Sequence, residues 1–461
     1  MPPVRTGIAA VSAELVATLG QEHVIDVYTD TSVPGAHDFV WRQRQRPYDL
    51  IVYQVGNSSH HDYIWPYLFR YPGLTVLHDA HLHHARAATL LRTTRARDYR
   101  AEFAANHPDV NPDLAELAVA GFDNHLYYSW PMTRLVIEAS KLTAVHAPVL
   151  AASLREGHPG VRIESIRLAH GEPVTADRAR DARARIRAAH GIAADAIVFG
   201  VFGGLTPDKR IPQILDALDA VLPHAPSAHL LFAGAPAQHF DAEAAVRDRH
   251  LEAHVTIAGY LADAHELTDH MTACDVSINL RWPTAREMSG PWLRALAAGL
   301  PTITTDLAHL ADLASLDPRT WAIRPGSGIR DPGSEPQSHS TSGSNRSDPG
   351  SRSDRASRIP NRDAVAIAVD ILDEDHSLRL AMRRLATDAA LRASLGASAR
   401  SYWEREHSMP RMLEDYRRVI SDAAAAPPPG PRLPAHLIDD GDRKLKDLLD
   451  QFGIGASPIA E

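Results

Sequence analysis

The chain has 461 residues, 44% hydrophobic and 23% charged, the balance of a globular protein long enough for two domains with cores of their own. A net charge of -9 and an isoelectric point near 6.3 exclude a chain-wide nucleic-acid binder, while leaving room for a local basic patch. A single cysteine, Cys274, excludes an intrachain disulfide or a cysteine metal site, and no membrane span is visible, so a cytoplasmic setting fits.

The amino-terminal run Met1-Pro2-Pro3-Val4-Arg5-Thr6-Gly7 lacks the apolar core of a signal peptide and leads into a helix over 8–19. Short apolar stretches at 23–28, 50–55, 74–78 and 142–145 read as buried strands separated by helical segments, the pattern of a doubly wound parallel sheet. Ligands of such sheets bind beyond the carboxyl ends of the strands, so Gly7, Gly56-Asn57-Ser58 and His78-Asp79 should face one cleft. His78, His81, His83 and His84 crowd one loop with Asp79, but their spacing matches no standard zinc motif. They read as polar cleft residues or surface histidines, and no metal site is assigned. Residues 147–171 close this first half, and 172–182 form a hinge before a helix over 182–190.

A second alternating half starts with a strand over 196–201. Gly203-Gly204 then precede Lys209-Arg210 at the start of a helix running to about 222. Backbone amides and a helix terminus beside a point charge suit a diphosphate, although a Gly pair before a helix also serves as a plain tight turn. Strands over 229–233 and 255–259 end at Gly234-Ala235 and Gly259-Tyr260. The stretch 276–306 is one βαβ unit: a β-rich run, a charged turn over 281–287, an apolar helical stripe over 288–298 stopped by Gly299-Leu300-Pro301, and β-branched 302–304. Its loop, 281–290, should be the working edge, because the unpaired amides at the helix start suit an anion. From 326 to 360 the composition turns to Ser, Gly, Pro, Asp and Arg, which reads as a disordered insertion. Helical periodicity returns over 362–421, and a Pro-rich tail, 422–461, carries a short charged helix.

The segment REMSGPWLRALAAGLPTITTD resembles the donor-binding segment of family-4 retaining glycosyltransferases of GT-B fold, which usually reads Glu-x7-Glu followed by Ala-x-Ala-x-Gly-x-Pro. Aligned on Gly299 and Pro301, the chain has Arg294 at the second Glu and Arg286 at the first, with Glu287 one place late. In this it resembles a subgroup written Gly-Glu-Thr-Ser-Gly followed by Leu-Arg-Ala-Leu. The resemblance implies an α/β protein of two Rossmann-like domains facing a cleft. Residues 1–175 would form the acceptor domain, 176–325 the donor domain and 361–421 the closing helices, of which 401–420 crosses back to the first domain.

For the site, the resemblance gives Glu287 the sugar hydroxyls, Lys209 the diphosphate and His78 a place in the sugar pocket. Gly7, Gly203, Gly204, Arg210, Gly234, Gly259, Tyr260, Met288, Ser289, Gly290 and Arg294 would complete the donor site. Gly204 stands where the family has a second phosphate-binding Arg, so Arg210, Arg281, Arg286 or Arg294 must substitute; a guanidinium at Arg294 suits phosphate better than ribose. In the family a hydrophobic strand precedes the Pro-Pro-x-x-x-Gly loop, and here it is missing, through a misassigned start or a genuine gap in the sheet. The implied donor is a UDP-, GDP- or ADP-sugar with no further cofactor. The implied acceptor is a sugar or glycoconjugate in cell-surface glycan synthesis, with a peripheral contact to the inner membrane face left open. The leaving phosphate would itself help deprotonate the acceptor. A catalytically silent nucleotide-sugar-binding protein and a GT-B sugar-nucleotide epimerase share these features; a dinucleotide oxidoreductase is opposed by the lack of Gly-x-Gly-x-x-Gly.

Overall fold

A computed structural model describes residues 7–30, 35–122, 126–237, 240–324, 326, 364–438, 448–449 and 451–453. The Pro2-Pro3 segment, the insertion expected beyond Gly326 and most of the charged tail lie outside the described residues.

In the first half, β1 (Val52–Val55), β2 (Leu74–Leu77), β3 (Leu142–Val145) and β4 (Ile163–Ser165) pair side by side in that order, all parallel. Every residue of β2 and β3 is buried, as expected of parallel strands covered on both faces, and neither carries a charge. The strand expected over 23–28 does not form. Just beyond it Thr29 makes an isolated bridge with Gly35, and within it Val24 is 99% exposed. Among the described residues no strand lies beside it to take its backbone groups, and β1 is left as the edge of the sheet. Between β2 and β3 the helices His83–Arg92, Ala96–Asn106, Leu114–Val119 and Leu126–Ser129 gather around Leu90, Tyr99, Phe103 and Met132.

The second sheet holds β5 (Ile197–Phe202), β6 (Ala228–Ala233), β7 (Val255–Gly259), β8 (Val276–Asn279), β9 (Thr302–Thr305), β10 (Ser315–Leu316), β11 (Ile323–Arg324) and β12 (Ala366–Val369). Their order is β11-β10-β12-β9-β8-β5-β6-β7, parallel except for β10 against β11. Strand β12 corrects the reading of 362–421 as helical from its start: Ala366–Val369 is buried between β10 and β9, and four apolar residues are too few for a period to separate strand from helix. The helix expected over 182–190 begins earlier, as Ala176–Ala189, because Thr175 Oγ1 accepts the Arg178 amide and caps it. That shortens the hinge to 172–175.

The chain then returns to the first sheet. On the helix Met409–Ala425, Met412, Tyr416 and Val419 pack in one core with Leu74, Val76, Leu142 and Ala144. Asp415 receives both arms of Arg167 at 2.8 and 2.9 Å. Further on, Leu433 and Leu437 lie against the core around Trp65, and His436 Nε2 stands 2.8 Å from Glu102, a fully buried carboxylate also gripped by Arg86. No helix among the described residues is long and apolar enough to cross a membrane.

Candidate active site

The loop between β8 and the helix Gly290–Ala297 lies at the carboxyl edge of the second sheet, where the β5 and β9 loops also end. Ser289 caps the helix: its Oγ accepts the Trp292 amide at 3.3 Å. Glu287, which could have been that cap, is left free for another role. Pro291 in the first turn and Gly299, at φ +73°, set the two ends. The buried face of the helix, Trp292, Leu293 and Leu296, enters the same core as Leu74 and Met412, which fixes the loop relative to the first sheet.

Here a narrow cavity opens, lined by Lys209, Asn279, Arg281, Thr284, Glu287, Met288, Ser289, Thr304 and His309 among others. Lys209 is buried, and its Nζ donates to the Phe202 carbonyl at the end of β5. Burial, helped by neighbouring Arg281, pulls its ammonium down to about 7. Arg281 donates to Asp208 at 2.6 Å and reaches Glu287 at 2.8 Å. Burial works against its charge, but the two carboxylates more than offset that. Glu287 also accepts from Thr284 Oγ1 at 2.9 Å, and its carbonyl lies 3.2 Å from His309 Nε2.

The first sheet supplies the opposite wall. Amides of Ala80 and His81 donate to the Ala285 carbonyl at 2.9 and 3.2 Å, so the β8 loop is tied to the β2 loop. Asp79 Oδ2 accepts the Asn57 amide at 2.7 Å. Burial first, then the charge of Glu287, push the Asp79 carboxyl up to about 7, against the pull of the Asn57 amide and Arg281.

Of the residues singled out from sequence, Lys209, Glu287, Met288 and Ser289 meet at the cavity. Gly203, at φ +87°, lies where a Cβ would come within 2.9 Å of Lys209 Nζ, and a Cβ on Gly234 would strike the Gly203 carbonyl at 1.9 Å, so both are needed for close approach beside the cavity. Gly259 faces open space, a Cβ on Gly204 would meet only ordinary contacts at 3.9–4.0 Å, Tyr260 is 45% exposed, and Gly290 packs against His170. Gly7 opens the first helix. Two expected residues are turned elsewhere. Arg210 is held by Glu374 at 2.6–2.9 Å, and Arg294 donates to Thr268 Oγ1 at 2.9 Å and the Ala264 carbonyl at 3.3 Å, joining its helix to the neighbouring one. His78 is buried with both ring nitrogens engaged, by Gln54 at 2.7 Å and His146 at 3.0 Å, and burial holds it neutral. Nor do the other histidines of its loop converge: His83 pairs with the Trp130 carbonyl and Tyr99, while His84 lies beside Tyr127 and Tyr128.

Four site residues lay outside the sequence-based set. Asp79 was noted only for following a strand; Asp208, Thr284 and His309 carry no motif signal, since their place depends on which loops the sheet brings together.

Comparison with solved structures gives the class of the fold. Anabaena HepE in complex with UDP and glucose is 13% identical, with 91% of this chain and 96% of that one covered at a TM-score of 0.55. HepE with UDP-glucose (14% identity, 88% and 89% covered, TM-score 0.51) and WaaG, a glycosyltransferase involved in lipopolysaccharide biosynthesis (14%, 90% and 96%, 0.51), also match. The chain has the GT-B fold, two Rossmann-like domains in an α/β arrangement. More particularly, residues 196–327, the stretch that holds Lys209, Arg281 and Glu287, match the family described as Glycosyl transferases group 1. No curated protein matches the sequence.

Proposed function

We propose that the protein is a retaining glycosyltransferase that moves a sugar from a nucleotide-sugar to an acceptor hydroxyl in glycan synthesis. The observation that carries this reading is the juxtaposition, in one cavity beyond a Ser-capped helix, of two cations, Lys209 and Arg281, with the carboxylate Glu287. Cations and helix amides stabilise the charge that grows on a leaving diphosphate, and a carboxylate orients sugar hydroxyls. The anomeric C–O bond to the β-phosphate breaks as the acceptor oxygen bonds to the same face of the sugar, and the acceptor proton passes to the leaving phosphate oxygen. Arg281 takes the part of the cation lost at Gly204: of the four candidates, Arg210 and Arg294 are engaged away from the cavity, and only Arg281 lines it. In this reading 1–175 is the acceptor domain, 176–325 the donor domain and 361–421 the helical closure.

The HepE structures hold UDP and UDP-glucose, which makes UDP-sugars the first donors to test. A thermal-shift screen with UDP-, GDP- and ADP-sugars should find one class that stabilises by about 2.7 kcal/mol at a hundred times its dissociation constant. The anomer of the product, followed by NMR, then tests retention. No stabilisation by any of the three, or an inverted product, overturns the reading.

A second reading, a sugar-nucleotide epimerase, is favoured by one observation: burial and the charge of Glu287 push the Asp79 carboxyl up to about 7, where a carboxyl can exchange a proton. Epimerised nucleotide-sugar recovered without acceptor would select it.

A further inference from the structure

Next to the donor cavity lies a second one, of about 190 Å³, that the nucleotide-sugar chemistry does not use. It sits where β9 and β12 run side by side, Thr304 opposite Ala368, and the loop 306–313 supplies much of its wall. The two cavities share Thr304, Leu307 and Leu310, but Asp306, Ser315, Arg324 and Ala368 line this one alone. Its chemistry is mixed. Arg324 Nη1 donates to Asp306 Oδ2, and the two side chains keep contact with water, 38% and 43% exposed. The guanidinium is not used up by that pair. Of its five N–H donors, one goes to Asp306 and one, at a long 3.4 Å, to the Ala368 carbonyl, while Nε has no partner among the described residues. The rest of the lining is largely aliphatic, with Leu307, Leu310 and Leu313, together with the buried hydroxyls of Thr304 and Ser315.

These features select a ligand class. A simple anion would meet Arg324 in the field of Asp306, and a simple cation would meet the reverse. A hydrocarbon would desolvate both ions and both hydroxyls without giving them partners, and a sugar would leave the three leucines without apolar cover. A free α-amino acid meets every demand: its carboxylate takes the spare guanidinium donors, its ammonium pairs with Asp306, and an aliphatic side chain packs on the leucines. The space suits a small member of the class, since an apolar cavity of about 150 Å³ already admits benzene. We propose that this cavity is a binding site for a free α-amino acid with a branched aliphatic side chain, held by Arg324 and Asp306 at its charged end and by Leu307, Leu310 and Leu313 at the other. The site is separate from the donor cavity and does not depend on what that cavity binds.

The test titrates the full chain by calorimetry with L-leucine, with 4-methylpentanoate, which lacks the ammonium, and with 3-methylbutylamine, which lacks the carboxylate. UDP is titrated in parallel, and folding is checked by melting temperature. L-Leucine should bind, and each analogue should bind about tenfold more weakly, the scale of losing one charged partner. Arg324→Gln and Asp306→Asn should weaken L-leucine by a similar factor and leave UDP unchanged. Ala311→Trp, a substitution at an exposed lining position, should block L-leucine with the fold intact, and it decides the matter if a charge variant fails to fold. The site is overturned if L-leucine does not bind, if either analogue binds as tightly as L-leucine, or if Ala311→Trp binds it as wild type does. L-Leucine binding lost in Ala311→Trp, with no UDP binding in any protein, upholds the site and strikes the nucleotide-sugar reading alone.

Discussion

Arg281 Nε lies 2.8 Å from Glu287 Oε1, so the residue that would bind the diphosphate and the residue that would bind the sugar form an ion pair with each other. A donor must part them, exchanging one ion pair for two ligand contacts. Glu287→Gln should therefore lower turnover roughly 10²-fold, as a misoriented sugar does, yet tighten free UDP by releasing Arg281. Calorimetry that finds UDP weaker in this variant would sink the arrangement. Arg281→Ala should weaken UDP and slow turnover by roughly 10²- to 10³-fold.

Lys209 sets a pH limit. The ammonium is the form that binds diphosphate, and burial lowers it to about 7, so the free enzyme loses the charge as pH rises through that value. With a UDP-sugar, whose diphosphate does not titrate in this range, kcat/KM should fall by up to about tenfold per unit above pH 7. Lys209→Met should be slow throughout and lose that dependence. A profile that stays level to pH 9 in wild type removes Lys209 from donor binding.

Acid should destabilise the fold readily. Burial holds His81, His146 and His407 down to about 4 and His83 to about 3. Their folded values lie below the unfolded value near 6.5, so between pH 6.5 and 4 the unfolded chain binds the extra protons, and stability falls as pH falls. Each residue contributes up to about 1.4 kcal/mol per unit in that window. Asp79, raised to about 7, acts in the opposite sense but is one group against four. Melting temperature should drop steeply from pH 6.5 to 4.5. A flat curve means these imidazoles charge without leaving the fold.

Arg294 should matter to stability rather than to the donor. Its guanidinium is buried against Thr268 and Ala264, away from the cavity. Arg294→Ala is expected to cost about 1–3 kcal/mol in urea unfolding and to change UDP affinity less than twofold. A large loss of UDP affinity without loss of stability would restore it to the site.

These contrasts show what the sequence could carry. The β8 loop was legible because its parts are local: a β-rich run, a charged turn, an apolar helical stripe and a Gly-Leu-Pro stop follow one another in the chain. Lys209 was legible for the same reason, beside its Gly pair. By contrast, the choice among Arg210, Arg281, Arg286 and Arg294 turned on partners such as Glu374 and Thr268, brought there by other helices. His78 followed a strand as expected, yet its ring was claimed by Gln54 and His146 from two neighbouring strand ends, and the next residue, Asp79, accepts the Asn57 amide. Apolar runs misled in both directions: 23–28 is strand-like without a strand beside it, and Ala366–Val369 is a strand inside what reads as a helical region. Pairing decides both, and pairing is not local.

The return of the helix Met409–Ala425 to the first sheet also sets an order of events during synthesis. Leu74, Val76, Leu142 and Ala144 leave the ribosome early, but Met412, Tyr416 and Val419, which share their core, follow some 270 residues later. At about 5–20 residues per second the wait is on the order of 15 to 55 s, during which a half-built sheet stands with apolar surface bare. Making the protein is thus a race between elongation and aggregation, and a nascent chain stalled before residue 409 lacks the helix that completes this core.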